Sequence, residues 1–477
     1  MPENLNRTDK IALLAGAAAA LALLACTALL FRHGFDFTDE GSYLLAMERP
    51  REYPTLPVLA FFFFQPLYLF LGKNVALLRA VWFGMTFLAA LAASRSFVNA
   101  FFSRSERPPA TAAWPLAAAL AAAGPAAFLT LWLPTPNYNS LNFVGICLFA
   151  SGLIDLMAAG NALQGKEASS DAPPGSPAGG AVRAVAPRLM MAFGVWLSFL
   201  GRPFTAPALM LVALLAAARA GLARSLIMPA AVAAGLLLAS AYWTDGSLWA
   251  LSERFLSASR ELGQYGTHDS LKLLNLDPGA AWRFLGGPFA PLFFCLFLWG
   301  FALGPAGSAA PGASRFGTLA ILAPPAALAL LVFTPFPFSL FGWPKAVAGH
   351  HLWAAPCGAF VRALLPSART KAPRPPLNPP DPPGEPELQE PPVRPDTPDS
   401  RAPKAPLDFP VSPASPDVPP APPPKRPGAF CAPALFAAAL AYALGSNNPL
   451  VTATSAASFF IALGFMALLS RAAPGRS

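Results

Sequence analysis

The sequence predicts an all-α polytopic membrane protein with roughly twelve transmembrane helices. Mean hydropathy is +0.48, and 55% of the 477 residues are hydrophobic. Several apolar runs reach the roughly 20 residues that a helix needs to cross about 30 Å of hydrocarbon. The runs are continuous rather than alternating, which favours helices over a barrel, since backbone polar groups must be satisfied inside lipid.

The net charge of +9 would favour a nucleic-acid partner if the protein were soluble. The positive-inside rule accounts for the charge here, because Lys and Arg gather in particular loops, and we expect no nucleic-acid partner. The cysteines show no C-x-x-C spacing, so the sequence supports neither a metal site nor a disulfide framework. They are Cys26, Cys147, Cys295, Cys357 and Cys431.

The first apolar run, residues 11–31, is longer than the apolar region of a signal peptide and is expected to be a retained span. It leads to three carboxylates within five positions, Asp36, Asp39 and Glu40, in a chain that is only 12% charged. Carboxylates at this boundary can accept a proton from a hydroxyl, bind a cation or sit solvated in a loop. We expect Asp36 to be a solvated loop residue.

The next piece, residues 53–71, is apolar and aromatic but broken by prolines, and it is expected to lie in the membrane interface. A span at 75–93 then reaches a loop that carries Arg95, Arg104 and Arg107. Positive residues belong on the cytoplasmic side. The amino terminus is therefore expected in the cytoplasm and the acidic loop outside.

Two spans, 114–133 and 141–159, flank an exit at 134–140. The stretch after them, with Lys166, Arg183 and Arg188, is expected to be a flexible cytoplasmic linker. A helical pair at 189–200 and 204–218 is broken at Gly201-Arg202-Pro203, and a further span covers 225–243. The polar loop 244–283 is expected to form short amphipathic helices on the outer surface.

The remaining predicted spans cover 284–303, 316–333, 346–365, 429–444 and 451–469. Residues 366–428 are extremely rich in proline and are expected to be a disordered cytoplasmic insert. The predicted domains are a membrane-embedded core at 1–365, this insert at 366–428, and a C-terminal transmembrane hairpin at 429–477. Both termini are expected in the cytoplasm.

On this topology the unusual polar residues fall at one membrane face, above an aromatic rim. Such a face suits a ligand with a polar head and a long lipid tail. The residues are Asp36, Asp39, Glu40, Asn137, Tyr138, Asn139, Arg202, Asp245, Lys345, His350, His351, Asn447 and Asn448.

Three features of the first hundred residues resemble a known family: Asp39-Glu40 after the first span, the segment Tyr53-Pro54-Thr55-Leu56-Pro57, and Arg79 at the opening of the second span. They resemble the C-type-fold (GT-C) glycosyltransferases that use lipid-linked sugars, in the RgtA/B/C/D-like, family 39-like branch. The resemblance implies a GT-C-like bundle with an interfacial segment after the first span. It implies transfer of a sugar from a polyprenyl-phosphate donor to a hydroxyl of a glycan, lipid or protein acceptor, in a bacterial inner membrane.

By the family pattern, Asp39 would be the catalytic base, and Glu40 would orient it or bind the acceptor. Desolvation disfavours the charged carboxylate, so partial burial near the interface makes it a better proton acceptor. The leaving phosphate needs fixed positive charge or amide donors. The predicted substrate-binding residues are Arg79, Asn137, Tyr138, Asn139, Arg202, Lys345, His350, Asn447 and Asn448. The resemblance implies no certain cofactor. A divalent metal is compatible with it, although no motif supports one.

Several of these residues also have purely structural interpretations. Asn137-Tyr138-Asn139 fits a turn with an interfacial aromatic anchor equally well. Arg202 fits a side chain that extends to the lipid headgroups. Asn447-Asn448 fits the turn of a hairpin, and the adjacent pair His350-His351 projects about 100° apart on a helix, which is poor for one metal.

Two rival functions belong to other classes. A transporter or flippase of a lipid-linked or small polar substrate would place ionisable residues within spans, of which Asp155 is the main example. A non-enzymatic scaffold would bind partners through the polyproline segments of 366–428. Deleting that insert separates the scaffold from the enzyme, because the enzyme would keep its activity.

Overall fold

The computed structural model describes residues 31–32, 40–53, 58–101, 135–167, 177–264 and 290–303, together with short pieces near 18–25, 117–121, 354–357, 432–439 and 460–468. These described residues are predominantly helical and contain no β-strand. Three of the helices are long and apolar enough to cross a membrane: Val75–Ala100, Tyr138–Gly160 and Ala223–Asp245. The described part is thus all-α, as predicted, and has the composition of a membrane protein.

The α-helices of the longer described segments are numbered in chain order. They are α1 (Glu40–Glu48), α2 (Ala60–Phe70), α3 (Val75–Phe101), α4 (Tyr138–Glu167), α5 (Pro177–Gly201), α6 (Thr205–Arg219), α7 (Ile227–Asp245), α8 (Leu248–Gln264) and α9 (Ala290–Leu303). Short 3-10 turns at Pro50–Glu52 and Ala223–Leu226 follow α1 and precede α7.

The helix boundaries test several predictions. The predicted break at Gly201-Arg202-Pro203 is confirmed, since α5 ends at Gly201 and α6 begins at Thr205. The prediction of a flexible linker was wrong in part, because α5 begins at Pro177 rather than near residue 189. Proline suits the first position of a helix, and the alanines that follow it have high helix propensity, whereas Gly179, Gly180 and Pro187 oppose a helix and gave the segment its linker-like composition.

Other predicted segments lie wholly or mostly outside the described residues. They are the spans at 11–31, 114–133, 316–333, 346–365, 429–444 and 451–469, and the proline-rich insert at 366–428. The count of roughly twelve helices therefore stays a prediction.

A tight elbow separates α2 from α3. Gly72 and Lys73 both have left-handed φ angles, +61° and +60°. Their N–H groups donate to the carbonyls of Leu69 and Tyr68, at 3.0 Å each, which is the pattern of a Schellman helix end. Asn74 then caps the next helix, since its side-chain oxygen accepts the Leu77 N–H at 3.0 Å. Helix α2 therefore stops after 11 residues, too short to cross the hydrocarbon.

The elbow is also tied to the end of α1. Lys73 Nζ donates to the Glu48 carboxylate at 2.7 Å, and Gln65 Nε2 donates to the Glu48 carbonyl oxygen at 3.1 Å. The hydrogen bond from Lys73 and its positive charge lower the pKa of the Glu48 carboxyl. Helix α1, which directly follows the acidic loop, is thus fixed against α2.

Helices α3 and α4 run side by side in the same direction. Trp82 Nε1 donates to Ser140 Oγ at 2.8 Å near the start of both helices. Further along, the hydroxyls of Ser96 and Ser151 are 2.8 Å apart. The amino-terminal ends of α3 and α4 therefore lie together.

Helix α5 packs antiparallel on α4 along a seam of glycines. A Cβ built on Gly194 would lie 2.5 Å from the Phe149 nitrogen, and one built on Gly201 would lie 2.5 Å from the Tyr138 carbonyl oxygen. Gly145 faces the same seam from α4, where a Cβ would lie 2.7 Å from the Gly194 carbonyl oxygen. Small residues allow this close backbone approach, which is how helices pack tightly where lipid replaces water.

Helix α7 runs parallel to α5. Trp196 Nε1 donates to Ser240 Oγ at 2.8 Å, and Arg188 Nη2 lies 3.4 Å from Ser225 Oγ. One end of the helix group therefore holds the starts of α3 and α4 and the ends of α5 and α7. We refer to it as the polar end, since the buried polar residues described next lie there.

Candidate functional site

A buried ion pair joins α1 to α3 at the polar end. Glu40 and Arg79 are 2% and 3% exposed, and Arg79 Nη2 lies 2.5 Å from Glu40 Oε1. Arg79 Nε also donates to Thr135 Oγ1 at 2.9 Å, and Arg79 Nη1 donates to the Phe31 carbonyl oxygen at 3.1 Å. The Thr135 hydroxyl in turn donates to Glu40. Charge and hydrogen bonds together offset the cost of burying both ions.

Asn137 caps the start of α4. Its side-chain oxygen accepts the backbone N–H groups of Asn139 and Ser140, each at 3.0 Å. Ser140 Oγ accepts the Asn137 N–H at 3.0 Å, which makes the capping reciprocal. The Asn137 amide also donates to the Thr135 carbonyl oxygen at 3.2 Å, so the cap is joined to the ion pair.

Arg202 closes the other side of the site. It follows the last residue of α5, is 9% exposed, and donates from Nε to Asn139 Oδ1 at 2.9 Å and from Nη2 to the same oxygen. Gly201 brings these groups together, because a side chain there would collide with the first turn of α4.

These contacts form one continuous chain, which we name the polar network: Glu40, Arg79, Thr135, Asn137, Asn139 and Arg202. Its members come from four separate stretches of sequence and are all buried. A charged and amide-rich cluster inside a group of apolar helices is costly to bury and is retained where it serves a site or fixes the packing.

Two further polar side chains lie in the seam next to the network. Asn142 and Ser198 are fully buried, and their side-chain polar atoms have no hydrogen-bond partner among the described residues. Both are within one turn of contacts at the polar end, since Asn142 meets Gly201 and Ser198 meets Gly145. Buried polar groups of this kind are normally satisfied by water or a polar ligand.

The structure brings five of the sequence-predicted site residues into the network: Glu40, Arg79, Asn137, Asn139 and Arg202. The Tyr138 ring packs edge-on against Tyr43 at 6.0 Å between centroids and is half-buried. Asp39, Lys345, His350, Asn447 and Asn448 lie outside the described residues, so their placement stays a prediction. Asp245 pairs with Arg254 at the end of α7 and takes no part in the contacts described for the network.

Thr135 was not among the predicted site residues, although it connects Glu40 to the Asn137 cap. A signal existed, because Thr135 stands between Pro134 and Pro136 at the predicted membrane exit. Neither proline carries a backbone N–H group that could donate to the Thr135 hydroxyl. The hydroxyl is therefore left to bond groups elsewhere in the chain. Ser140 and Trp82 were also missed, since their bond depends on the parallel packing of α3 and α4.

Comparison with known proteins adds no family to these observations: no protein-family model, curated protein or solved structure matches the chain significantly. Among the described residues no three His, Cys, Asp or Glu side chains group as they would to hold a metal ion. The candidate site therefore rests on its geometry.

Replacement of the cap should loosen the site. Asn137→Ala removes the acceptor for two backbone N–H groups, and we expect it to lower the free energy of unfolding by about 1 kcal/mol. Thermal unfolding of the purified protein in detergent, followed by tryptophan fluorescence, measures the loss. Asn137→Ser keeps a capping oxygen and should lie close to wild type. Equal losses for both variants would show that the stability comes from the amide bond to the Thr135 carbonyl and not from the capping oxygen.

Proposed function

We propose that this chain is an integral membrane glycosyltransferase of the GT-C kind, which transfers a sugar from a polyprenyl-phosphate donor to an acceptor hydroxyl at the extracytoplasmic face of a bacterial inner membrane. One observation supports the proposal: Glu40, which directly follows the proposed base Asp39 in the sequence, belongs to a buried network that ends on Arg202. The described part of this network brings amides and cations together at one end of a group of apolar helices.

The proposed reaction uses these groups in complementary ways. Asp39 accepts the proton of the acceptor hydroxyl as its oxygen attacks the anomeric carbon of the donor sugar. The bond between that carbon and the phosphate oxygen breaks, and the polyprenyl phosphate leaves with the bonding electron pair. Cationic and amide donors stabilise the negative charge that develops on the phosphate.

Glu40 is proposed to position the base rather than to act as one. Its carboxylate is bonded to Arg79 and Thr135 at the start of α1, so it fixes the backbone directly after Asp39. Arg79 balances the Glu40 charge in this arrangement. We therefore assign the leaving phosphate to Arg202 and its Asn139 partner, with Lys345, His350, Asn447 and Asn448 as further predicted contacts.

The first test compares sugar transfer in membranes that carry wild-type protein, Asp39→Asn or Asp36→Asn at equal expression. Radiolabelled polyprenyl-phosphate sugars serve as donors, and transfer is measured as labelled product. Loss of a general base should reduce the rate by about 10²–10⁴-fold. Asp36→Asn is the matched control three positions earlier and should remain active. If Asp39→Asn transfers sugar as fast as wild type, Asp39 is not the base.

A transporter or flippase of a lipid-linked or small polar substrate is the alternative. Asp155 favours it, since this half-buried carboxylate lies within the candidate span Tyr138–Gly160. The same assay separates the two functions. A transferase releases the polyprenyl phosphate from its sugar, whereas a flippase moves the donor between leaflets with that bond intact.

A further inference from the structure

Three large aromatic side chains are exposed where α7 ends and α8 begins. Tyr242, Trp243 and Trp249 are 63%, 51% and 73% exposed, and we name them the aromatic ledge. They stand within eight residues at one end of a candidate membrane span. Tryptophan and tyrosine are enriched at this position in membrane proteins because their rings are apolar and their N–H and O–H groups reach the headgroups.

Helix α8 is fixed beside the ledge and is too polar to cross a membrane. Its 17 residues include four charged ones, Glu253, Arg254, Arg260 and Glu261. Arg254 Nε and Nη2 donate to Asp245 Oδ1 at 2.8 and 2.5 Å, and this pair is almost fully buried. The Arg254 guanidinium also lies 5.5 Å from the centre of the Phe62 ring. Helix α8 is thereby held at the end of α7.

One side of α8 faces the other helices. Leu251 and Ala258 are buried, and the Phe255 ring packs edge-on against Phe199 with 5.7 Å between centroids. Phe199 lies in the last turn of α5, three residues before Arg202. Because α5 and α7 are parallel, α8 lies at the polar end, next to the polar network.

A second side of α8 carries its exposed large apolar residues, Leu248, Leu256 and Trp249, and we name it the apolar arc. All three are at least half exposed. At 100° per residue they span about 100° of the helix circumference, and no charged residue falls between them. Ser252, the other described position within the arc, is small.

The adjoining side of α8 is polar and holds Glu253, Ser257 and Arg260. The helix thus has three sides, one against protein, one with exposed apolar side chains and one polar. A helix that lies in the membrane interface requires an apolar side towards the acyl chains and a polar side towards water.

The apolar arc of α8 is continuous with an exposed apolar surface on α7, and this continuity indicates what covers the arc. Helix α7 also exposes Ile227 and Leu238, so the exposed apolar surface runs along the candidate span up to the ledge. Lipid that surrounds α7 would reach α8 without interruption. A protein partner on α8 alone would leave the α7 surface without a cover.

We propose that α8 is an in-plane membrane helix, whose apolar arc is buried at the boundary between lipid headgroups and acyl chains, together with Tyr242 and Trp243. The helix sets the depth of the polar end, since it joins the end of α7 through Asp245 and the end of α5 through Phe199. Arg202 then lies near the level of the headgroup phosphates. This inference does not depend on the proposed catalytic activity.

Two neighbouring positions provide the test. Leu256 belongs to the apolar arc, and Ser257, 100° away, belongs to the polar side. Full-length protein with its five native cysteines replaced is given a single cysteine at Leu256, Ser257 or Trp249 and a nitroxide label. After reconstitution into phosphatidylethanolamine and phosphatidylglycerol vesicles, accessibility to oxygen and to a water-soluble nickel chelate is measured by power saturation.

We expect labels at Leu256 and Trp249 to favour oxygen over the nickel chelate several-fold more strongly than the label at Ser257, because oxygen partitions into lipid. Equal nickel accessibility at all three positions would show a water-exposed helix and overturn the proposal. Poor access of both reagents at Leu256 and Trp249 would show that protein, not lipid, covers the arc and would also overturn it. A label at Leu248 replaces any variant that does not purify as a single species.

Discussion

Arg79→Met is expected to lower the free energy of unfolding by about 3–5 kcal/mol, the cost of breaking a buried ion pair from one side. Methionine keeps much of the length of arginine but removes the charge and the hydrogen bonds to Glu40, Thr135 and Phe31. The Glu40 carboxylate, 2% exposed, then loses its guanidinium partner. Thermal unfolding in detergent and the yield of folded protein from membranes both report the loss.

The double variant Glu40→Gln/Arg79→Met identifies the cause. Removing both charges leaves no uncompensated ion, so the double variant should be more stable than Arg79→Met alone. If it is no more stable, the charge pair does not account for the loss, and packing around Arg79 does. Lys73→Met is the matched control, since it removes a cation bonded to a glutamate at a partly exposed site, where ion pairs contribute little.

Gly194→Ala is expected to destabilise the protein by about 1–3 kcal/mol, as overpacking does in a filled core. The new Cβ would lie 2.5 Å from the Phe149 nitrogen and 2.6 Å from the Gly145 carbonyl oxygen. Both are backbone atoms of α4, so no side-chain rotation relieves the collision. Helices α4 and α5 must move apart, which also separates Arg202 from Asn139 at the end of the seam.

Gly84→Ala in α3 and Gly235→Ala in α7 are the matched controls. A Cβ at either position meets no atom within 4 Å. Alanine in an open helical position stabilises a helix by roughly 0.5–1 kcal/mol relative to glycine. The three variants therefore carry the same chemical change with opposite expected signs in the unfolding temperature. A stability of Gly194→Ala equal to that of the two controls would show that the seam can relax.

Part of the fold could be predicted from local signals in the sequence. The break between α5 and α6 follows from Gly201 and Pro203, because proline lacks an N–H and fixes its backbone angle. The spans at α3, α4 and α7 follow from the length of their apolar runs. The start of α5 did not follow in this way, because the stretch after residue 159 resembles a linker in composition although residues 160–167 and 177–188 are helical.

The residues of the site could be predicted from the sequence, but the contacts between them could not. Glu40, Arg79, Asn139 and Arg202 each stand out as polar residues at the edges of apolar runs. Glu40 and Arg79 are 39 positions apart, and Asn139 and Arg202 are 63 apart. Which cation meets which acceptor depends on the parallel packing of α3 on α4 and the antiparallel packing of α5. The antiparallel packing in turn depends on the spacing of glycines in α4 and α5, which composition and hydropathy do not reveal.

The residues of the polar network are also synthesised one after another, so the network forms in steps during biosynthesis. Glu40 and Arg79 both leave the ribosome early, so their pair can form while the first helices enter the membrane. Arg202 follows Asn139 by 63 residues, a delay of roughly 3–13 s at 5–20 residues per second. During that interval Asn139 lacks its guanidinium partner, and the amino-terminal turn of α4 awaits α5. The two halves of the site are thus assembled in succession, and the glycine seam joins them.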